Sequence, residues 1–440
     1  MVNDAACPGA LHVVAARDGL LARVRVPGGY ITTEAFRRLA DLCERDADGA
    51  FDITARANVQ IRGLRAQTVA AFGEGLIAAG LVTSRAHERV RNVLASPFAG
   101  YDATERVDVR SVVRAFDALL AGEPELASLP AKFVVAIDGG GFALDCARAD
   151  LALIAVPVGS EVRFGLAVGG VDTGLTVAAH DGAALLIAAS HAAHDIARRT
   201  CGDDRTWRLG RLAGSRQEIA ARLRELPYAA VTDVPAFDVA RATMTARLAC
   251  GTANAQLRRG LSAAHTCAFV NVVPSVPLGR LSAVQARGLA TLAERLAAKV
   301  RLGMWRGVAL VGISRADVAV ATDGLGRLGL LLDGADGYDG VAACAGMAGC
   351  GSALADVRAD AAAFAARVAS MTHARPWTIN VAGCDKRCAM RSGANCDLVA
   401  RAHGYDVVVD GVLVASEASP HDALERAFAS FARANAEALA

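Results

Sequence analysis

Cys344, Cys350, Cys384 and Cys388 form two tight pairs, Cys344-Ala-Gly-Met-Ala-Gly-Cys350 and Cys384-Asp-Lys-Arg-Cys388, with 33 residues between them. Four thiols gathered in this way, in a chain with no other sign of secretion, suit metal rather than disulfides. Structural zinc sites grip one ion with pairs about two to four residues apart. The five-residue gap around Met347 is wider and filled with Ala and Gly. It leaves room for an iron–sulfur cluster, which takes four thiolates and is tuned by N–H groups aimed at its sulfurs. Gly346, Gly349, Gly351 and Gly383 permit that approach of the backbone. The alternatives are zinc and unconnected core cysteines, and the second must explain two short pairings within 45 residues. Cys7, Cys43, Cys146, Cys201, Cys250, Cys267 and Cys396 read singly as small buried residues, Cys396 being the one spare near the pairs.

The second chemical pattern is cationic. From Asp52 to Arg62 polar and apolar residues alternate, placing Thr54, Arg56, Asn58, Gln60 and Arg62 on one face of an expected strand. That face offers two guanidiniums with carboxamides between them, a surface suited to several carboxylates at once. The competing reading is an amphipathic strand with one wet face. Arg89, Arg91 and Asn92 add donors shortly downstream. The chain has three lysines, Lys132, Lys299 and Lys386, against 44 arginines. Where Arg is the default cation, Lys132 in Leu129-Pro130-Ala131-Lys132-Phe133 stands out as a compact ammonium, although a solvated charge at a strand end is the commoner use. Lys386, between two paired cysteines, would favour thiolates.

The elements that must position these groups are repeated. Val26-Pro27-Gly28-Gly29 and the helix pattern ending Glu44-Arg45 recur 250 residues later as Val276-Pro277-Leu278-Gly279 and a helix pattern ending Glu294-Arg295. Each copy continues strand then helix, which predicts a duplicated α+β unit with internal pseudo-two-fold symmetry. Two longer mixed modules follow the copies, joined by an Arg-rich stretch. At 440 residues the chain exceeds one ordinary core. Its apolar runs stop short of the roughly 18 residues a membrane span needs. The first residues lack a signal-peptide pattern. A net charge of +2 gives no electrostatic footprint for nucleic acid. A soluble, cytoplasmic protein is expected.

The order Thr54-Ala-Arg56-Ala-Asn58-Val-Gln60, Arg91-Asn92-Val93, Leu129-Pro130-Ala131-Lys132-Phe133 and the two cysteine pairs resembles the sulfite and nitrite reductase haemoprotein superfamily. The resemblance implies duplicated ferredoxin-like half domains plus two nitrite/sulfite reductase domains. These would be half domain 1 over 1–85, reductase-like domain 1 over 86–215, a linker over 216–262, half domain 2 over 263–335, and the cluster-bearing domain over 336–440. It implies Cys344, Cys350, Cys384 and Cys388 as ligands of a 4Fe-4S cluster, with Cys388 the thiolate that the reductases share with sirohaem iron. It implies Arg23, Arg25, Thr54, Arg56, Asn58, Gln60, Arg62, Arg91, Asn92 and Lys132 as tetrapyrrole-binding residues, Arg91 and Lys132 also acting in catalysis. One position departs: the reductases read Lys-Phe-Lys where this chain reads Lys132-Phe133-Val134. Losing that cation counts against six-electron reduction of sulfite or nitrite and fits a sirohaem pocket reused for a related tetrapyrrole. The opening Ala6-Cys7-Pro8-Gly9 and the Arg23-Val-Arg25-Val-Pro27-Gly28-Gly29 run resemble the superfamily's oxygen-dependent branch, which hydroxylates precorrin-3A at a meso carbon and closes a γ-lactone in aerobic cobalamin biosynthesis. An assimilatory sirohaem-dependent sulfite or nitrite reductase is the alternative. The implied partners are the precorrin, dioxygen and an electron donor, either an NAD(P)H-linked reductase or a ferredoxin, with no nucleic acid or membrane and a monomeric chain. Besides the cluster, a mononuclear non-haem iron is implied and sirohaem is admitted. His87, His180, His191, His194 and His265 form no evident ligand pattern for that iron.

Overall fold

Pro27-Gly28-Gly29 and Pro277-Leu278-Gly279 fold into the same tight turn. Proline sets the first dihedral, and the next residue is left-handed in both, Gly28 at φ 65° and Leu278 at φ 53°. Gly29 must be glycine, because a side chain there would strike the carbonyl of Leu302.

The computed structural model describes residues 7–439 apart from 143, 232–260, 264–268, 333, 370, 372–376 and 392. The first copy comprises β1 (Val14–Ala16), β2 (Gly19–Val24), α1 (Thr33–Asp46), β3 (Ala50–Ile53), β4 (Val59–Leu64) and α2 (Val69–Ala78). The next module comprises β5 (Val93–Ala95), α3 (Arg110–Ala121), β6 (Val135–Asp138), β7 (Leu151–Val158), β8 (Glu161–Val168), β9 (Val171–Val177), α4 (Gly182–Cys201), α5 (Ser215–Leu223) and β10 (Ala230–Val231). The second copy runs through β11 (Leu261–Ala263), β12 (Phe269–Val272), β13 (Arg280–Ser282), α6 (Ala283–Arg295), β14 (Lys299–Gly303), β15 (Gly307–Ser314) and α7 (Val318–Arg327). The last module holds β16 (Val341–Ala343), the single turn α8 (Gly346–Gly349), α9 (Val357–Val368), β17 (Ile379–Ala382), β18 (Cys396–Ala400), β19 (Tyr405–Val409), β20 (Val412–Ala418) and α10 (Pro420–Leu439).

The copies interlock. β13 crosses from the second copy to pair antiparallel with β3, completing a sheet ordered β1-β2-β4-β3-β13. In return Tyr30, 250 positions before Arg280, bridges to Arg301 on β14. Helices α1 and α6 share one core in which Phe36, Leu39 and Ala40 meet Ala286, Leu289 and Ala290. On their exposed sides Arg37 pairs with Glu294 at 2.6 Å and Arg287 with Glu44 at 2.7 Å. Each pair is the other displaced by 250 residues in both members.

The two larger sheets repeat a second pattern. β5, β6 and β7 are parallel and continue through antiparallel β8 and β9, as parallel β16, β17 and β18 continue through antiparallel β19 and β20. The fold is α+β with duplicated ferredoxin-like halves.

Two features differ from expectation. Residues 52–62 are not one strand: β3 ends at Ile53, a turn intervenes, and β4 begins at Val59. The alternation crossed a hairpin turn closed by Thr54 N donating to the Asn58 carbonyl at 2.9 Å, with Ala57 left-handed at φ 53°. The described start of the expected linker is packed structure, since Ile219, Ala220 and Leu223 of α5 lie in the core of the first large sheet. The rest of 216–262 lies largely outside the described residues, as do His265, Cys250 and Cys267.

Candidate functional site

Cys344 comes directly after β16, and Cys384 comes one glycine after β17. Neighbouring parallel strands deliver their C-terminal ends to the same place, the usual location of ligands in such sheets. The pairing of Ala343 with Val381 therefore sets the two cysteine loops side by side. The N–H of Gly383 donates to Cys344 Sγ at 3.3 Å. A Cβ on Gly383 would lie 2.6 Å from that of Ala353 and 3.5 Å from the same sulfur. The first loop closes through Cys350 N donating to Gly346 O at 2.9 Å, with Gly346 left-handed. Cys388 sits at the open rim. Its thiol is pushed up by partial desolvation and then by the charges of Cys344, Cys384 and Cys350, with Arg391 opposing. All four sulfurs thus share one electrostatic neighbourhood, where like charges persist only if protons or a metal compensate them. A donor set of four thiols with an N–H on one sulfur fits a 4Fe-4S cluster.

Among the described residues no three His, Cys, Asp or Glu side chains close on a single-ion geometry. The expected mononuclear iron gains no ligand set there. His87 lies between Ser84 Oγ at 2.8 Å and the Glu123 carbonyl at 2.9 Å, His191 reaches Glu123 at 3.0 Å, His194 meets Ser128 at 2.6 Å, and His180 pairs with Asp181 at 3.2 Å.

Beside Cys388 lies a group of buried cations. Arg23 and Arg25 leave β2 and its extension. Arg23 donates to Gln60 Oε1 at 2.8 Å, and its Nε is buried without a partner. Arg25 is 3% exposed, has one long bond to the Ala131 carbonyl at 3.4 Å, and leaves Nε and Nη1 unpaired. Burial, then repulsion from Arg23 and Arg56, pulls its pKa down to about 9. Arg56, on the hairpin turn, is drawn down to about 10 by burial and by Arg208 and Arg23. Burial also lowers Arg23, with Cys7 and Cys388 opposing and Arg306 and Arg62 assisting. Buried, mutually repelling guanidiniums with orphaned N–H groups are unfavourable alone and favourable against carboxylates. They fit the acidic arms of a tetrapyrrole.

Smaller groups hold these cations in place. Thr54 Oγ1 accepts from the N–H groups of Arg56 and Asn58 at 3.3 and 3.2 Å, which shapes the turn. Asn58 accepts from Val26 N at 2.9 Å and donates to Asn92, whose own amide donates to the Ala131 carbonyl at 3.0 Å. Lys132 is half-buried one residue beyond that carbonyl. Val134 lies at 3% exposure in an apolar cluster with Leu94, Leu144 and Ile154, so no cation replaces the missing lysine at that position.

Two expected clamps are committed elsewhere. Arg91 is closed in a bidentate pair with Asp117 at 2.6 and 2.7 Å and also donates to the Leu81 carbonyl. It ties the chain to α3 and leaves no face for ligand or chemistry. Arg62 holds Asp18 at 2.7 Å and the carbonyl of Gly349, so it buttresses the first cysteine loop. Sequence reasoning missed Arg306, on the turn between β14 and β15, although it stands 250 positions after Arg56. It also missed Arg358, which bonds the Cys344 carbonyl at 3.3 Å and Asp52 at 3.0 Å.

The fold sets two paired-cysteine loops side by side and gathers several arginines near them. The nitrite/sulfite reductase ferredoxin-like half domain profile matches residues 14–79 and 267–328, and the nitrite and sulphite reductase 4Fe-4S domain profile matches 86–187. The chain belongs to the nitrite and sulfite reductase superfamily. A ferredoxin–nitrite reductase of Synechococcus elongatus is 30% identical over 90% of this chain and 78% of its own length. A precorrin-3B synthase of Sinorhizobium sp is 28% identical over 92% of this chain and 83% of its own. The structure of Mycobacterium tuberculosis NirA shares the fold, with a TM-score of 0.69 at 21% identity over 90% of this chain and 75% of that one. The nitrite reductase and the precorrin-3B synthase are enzymes by name. No helix among the described residues is long and apolar enough to cross a membrane.

Proposed function

We propose that this chain is an oxygen-dependent precorrin hydroxylase that converts precorrin-3A to precorrin-3B, with a 4Fe-4S cluster held by Cys344, Cys350, Cys384 and Cys388. When bound, the cluster supplies electrons one at a time from an external donor. Arg23, Arg25 and Arg56, with Lys132 at the margin, clamp the carboxylate arms of the macrocycle and fix its orientation. Gln60 and Thr54 hold Arg23 and the Arg56 turn, and Asn58 with Asn92 hold β2 against the next module. Carboxylates that pair with these guanidiniums also displace water from the basin.

The observation that carries this reading is the set of orphaned guanidinium N–H groups on Arg23 and Arg25, Arg23 lying within electrostatic reach of Cys388, together with an apolar residue at Val134. The basin can hold a polyacid but lacks one cation of the pattern associated with anion reduction. The 30% identity to a nitrite reductase supports a second reading, a sirohaem-dependent reductase of nitrite or sulfite. Anaerobic purification with assays of iron, sulfide and extracted pigment separates the two. Incubation with precorrin-3A, an electron donor and isotopically labelled dioxygen should then give a lactone-bearing product with one labelled hydroxyl oxygen, the other oxygen atom leaving as water. Stoichiometric sirohaem with no change in the precorrin would overturn the first reading.

A further inference from the structure

We propose that Arg306 is a positioning residue for the cluster, bridging the two cysteine loops and holding a positive charge between them. The turn that carries Arg306 answers, in the second copy, to the turn that carries Arg56 in the first. Arg306 adopts φ 64°, a conformation rare for a long side chain and retained where surroundings demand it. From there Nη1 donates to the Ala343 carbonyl at 3.4 Å, one residue before Cys344, and Nη2 to the Cys388 carbonyl at 3.5 Å. One guanidinium therefore touches both loops, while its Nε is buried with no partner. The nearest carboxylate, Asp52, is taken by Arg280 at 3.1 Å and Arg358 at 3.0 Å, and Arg306 has no ion pair of its own among the described residues. Its charge interacts with Asp52 and with the thiols of Cys344 and Cys388.

A cluster bound by four thiolates gains negative charge on reduction. A desolvated cation that touches both cysteine loops stabilises the reduced form and raises the potential. The fork also resists separation of loops that come from different strands, which slows loss of iron.

Reductive titration of the purified holoprotein, monitored by its electron paramagnetic resonance signal, tests this together with iron and sulfide content. Arg306→Met should keep the fold and show an electron affinity weakened about tenfold, a fall of about 59 mV for one electron, with faster iron loss to a chelator. Arg306→Lys should recover the parental potential. A full cluster at an unmoved potential in Arg306→Met overturns the inference. Should the Met variant hold no iron, the Lys variant decides: a cluster at the parental potential supports the proposal, and a lowered potential or no cluster overturns it. The inference rests on the cluster part of the proposed function. Absence of iron and sulfide from the unaltered protein would be the failure of that reading, whereas an unmoved potential fails only the role of Arg306.

Discussion

Arg25 sits at 3% exposure with two nitrogens unpaired, beside two other guanidiniums. Its replacement should therefore act in opposite directions on stability and on binding. Arg25→Met removes a desolvated, repelled charge and should stabilise the empty protein by about 1–3 kcal/mol in urea unfolding. The same change should weaken binding of a polycarboxylate porphyrin about 10- to 100-fold, read by fluorescence quenching, because a charge-assisted bond is lost. Arg91 should behave in the contrary way. Arg91→Met leaves Asp117 unpaired and should destabilise by about 3 kcal/mol, with porphyrin affinity unchanged. The sequence placed both arginines in one expected pocket, and only the fold separates them. Asp117 lies 26 residues beyond Arg91, on a helix whose facing side no local pattern reveals. The cysteine quartet was legible because its spacing is local and its chemistry leaves few alternatives.

At the level of elements, the cluster loops depend on the C-terminal ends of two parallel strands. Gly383→Ala puts a Cβ 2.6 Å from Ala353, on the strand end that aims an N–H at Cys344 Sγ. The variant should fold yet lose most of its iron and sulfide, measured per chain after anaerobic purification. The loop between β5 and α3 carries a proton-linked group. Glu105 has a buried, unpaired Oε1, and burial pushes its pKa up to about 7, with the Gly100 N–H opposing and Asp108 and Asp102 assisting. A carboxyl raised in the folded state holds its proton longer than in the unfolded chain. Its contribution to stability is therefore fully present below about 4.5, declines as pH rises, and is gone above about 7. Glu105→Gln should flatten that decline, so thermal melts of the variant and the parent should diverge more at pH 8 than at pH 5. The hairpin at 54–58 was not legible in the sequence. It contains neither Gly nor Pro, and polar residues alternated through it as they would along a strand. Its signal was the Thr54 hydroxyl and the left-handed Ala57, both properties of the folded turn.

The whole molecule is a duplication whose halves cannot be separated without opening a core. The 250-residue repeat showed the copies in the sequence, and applied to Arg56 it would also have marked Arg306. It could not show that β13 is exchanged into the sheet of the first copy, because strand exchange preserves each copy's local pattern. The symmetry places the glycine run after β6 where the second cysteine loop comes after β17. In the first copy that end is closed by Phe98 and Phe142 packed on Trp305, at centroid distances of 5.7 and 6.1 Å, so aromatic rings stand there where the second copy carries thiols. The exposed pairs Arg37–Glu294 and Arg287–Glu44 are screened by water and contribute little. The buried faces of α1 and α6 carry the association. A fragment ending near 231 should leave Phe36, Leu39 and Leu42 of α1 uncovered and the β3 edge unpaired, and it should aggregate or melt without cooperativity. Co-expressed with a fragment starting near 261, it should be recovered as a stoichiometric complex with one calorimetric transition. A cooperative, soluble first fragment alone would mean that the shared core is dispensable, and the site between the halves would then need another source of rigidity.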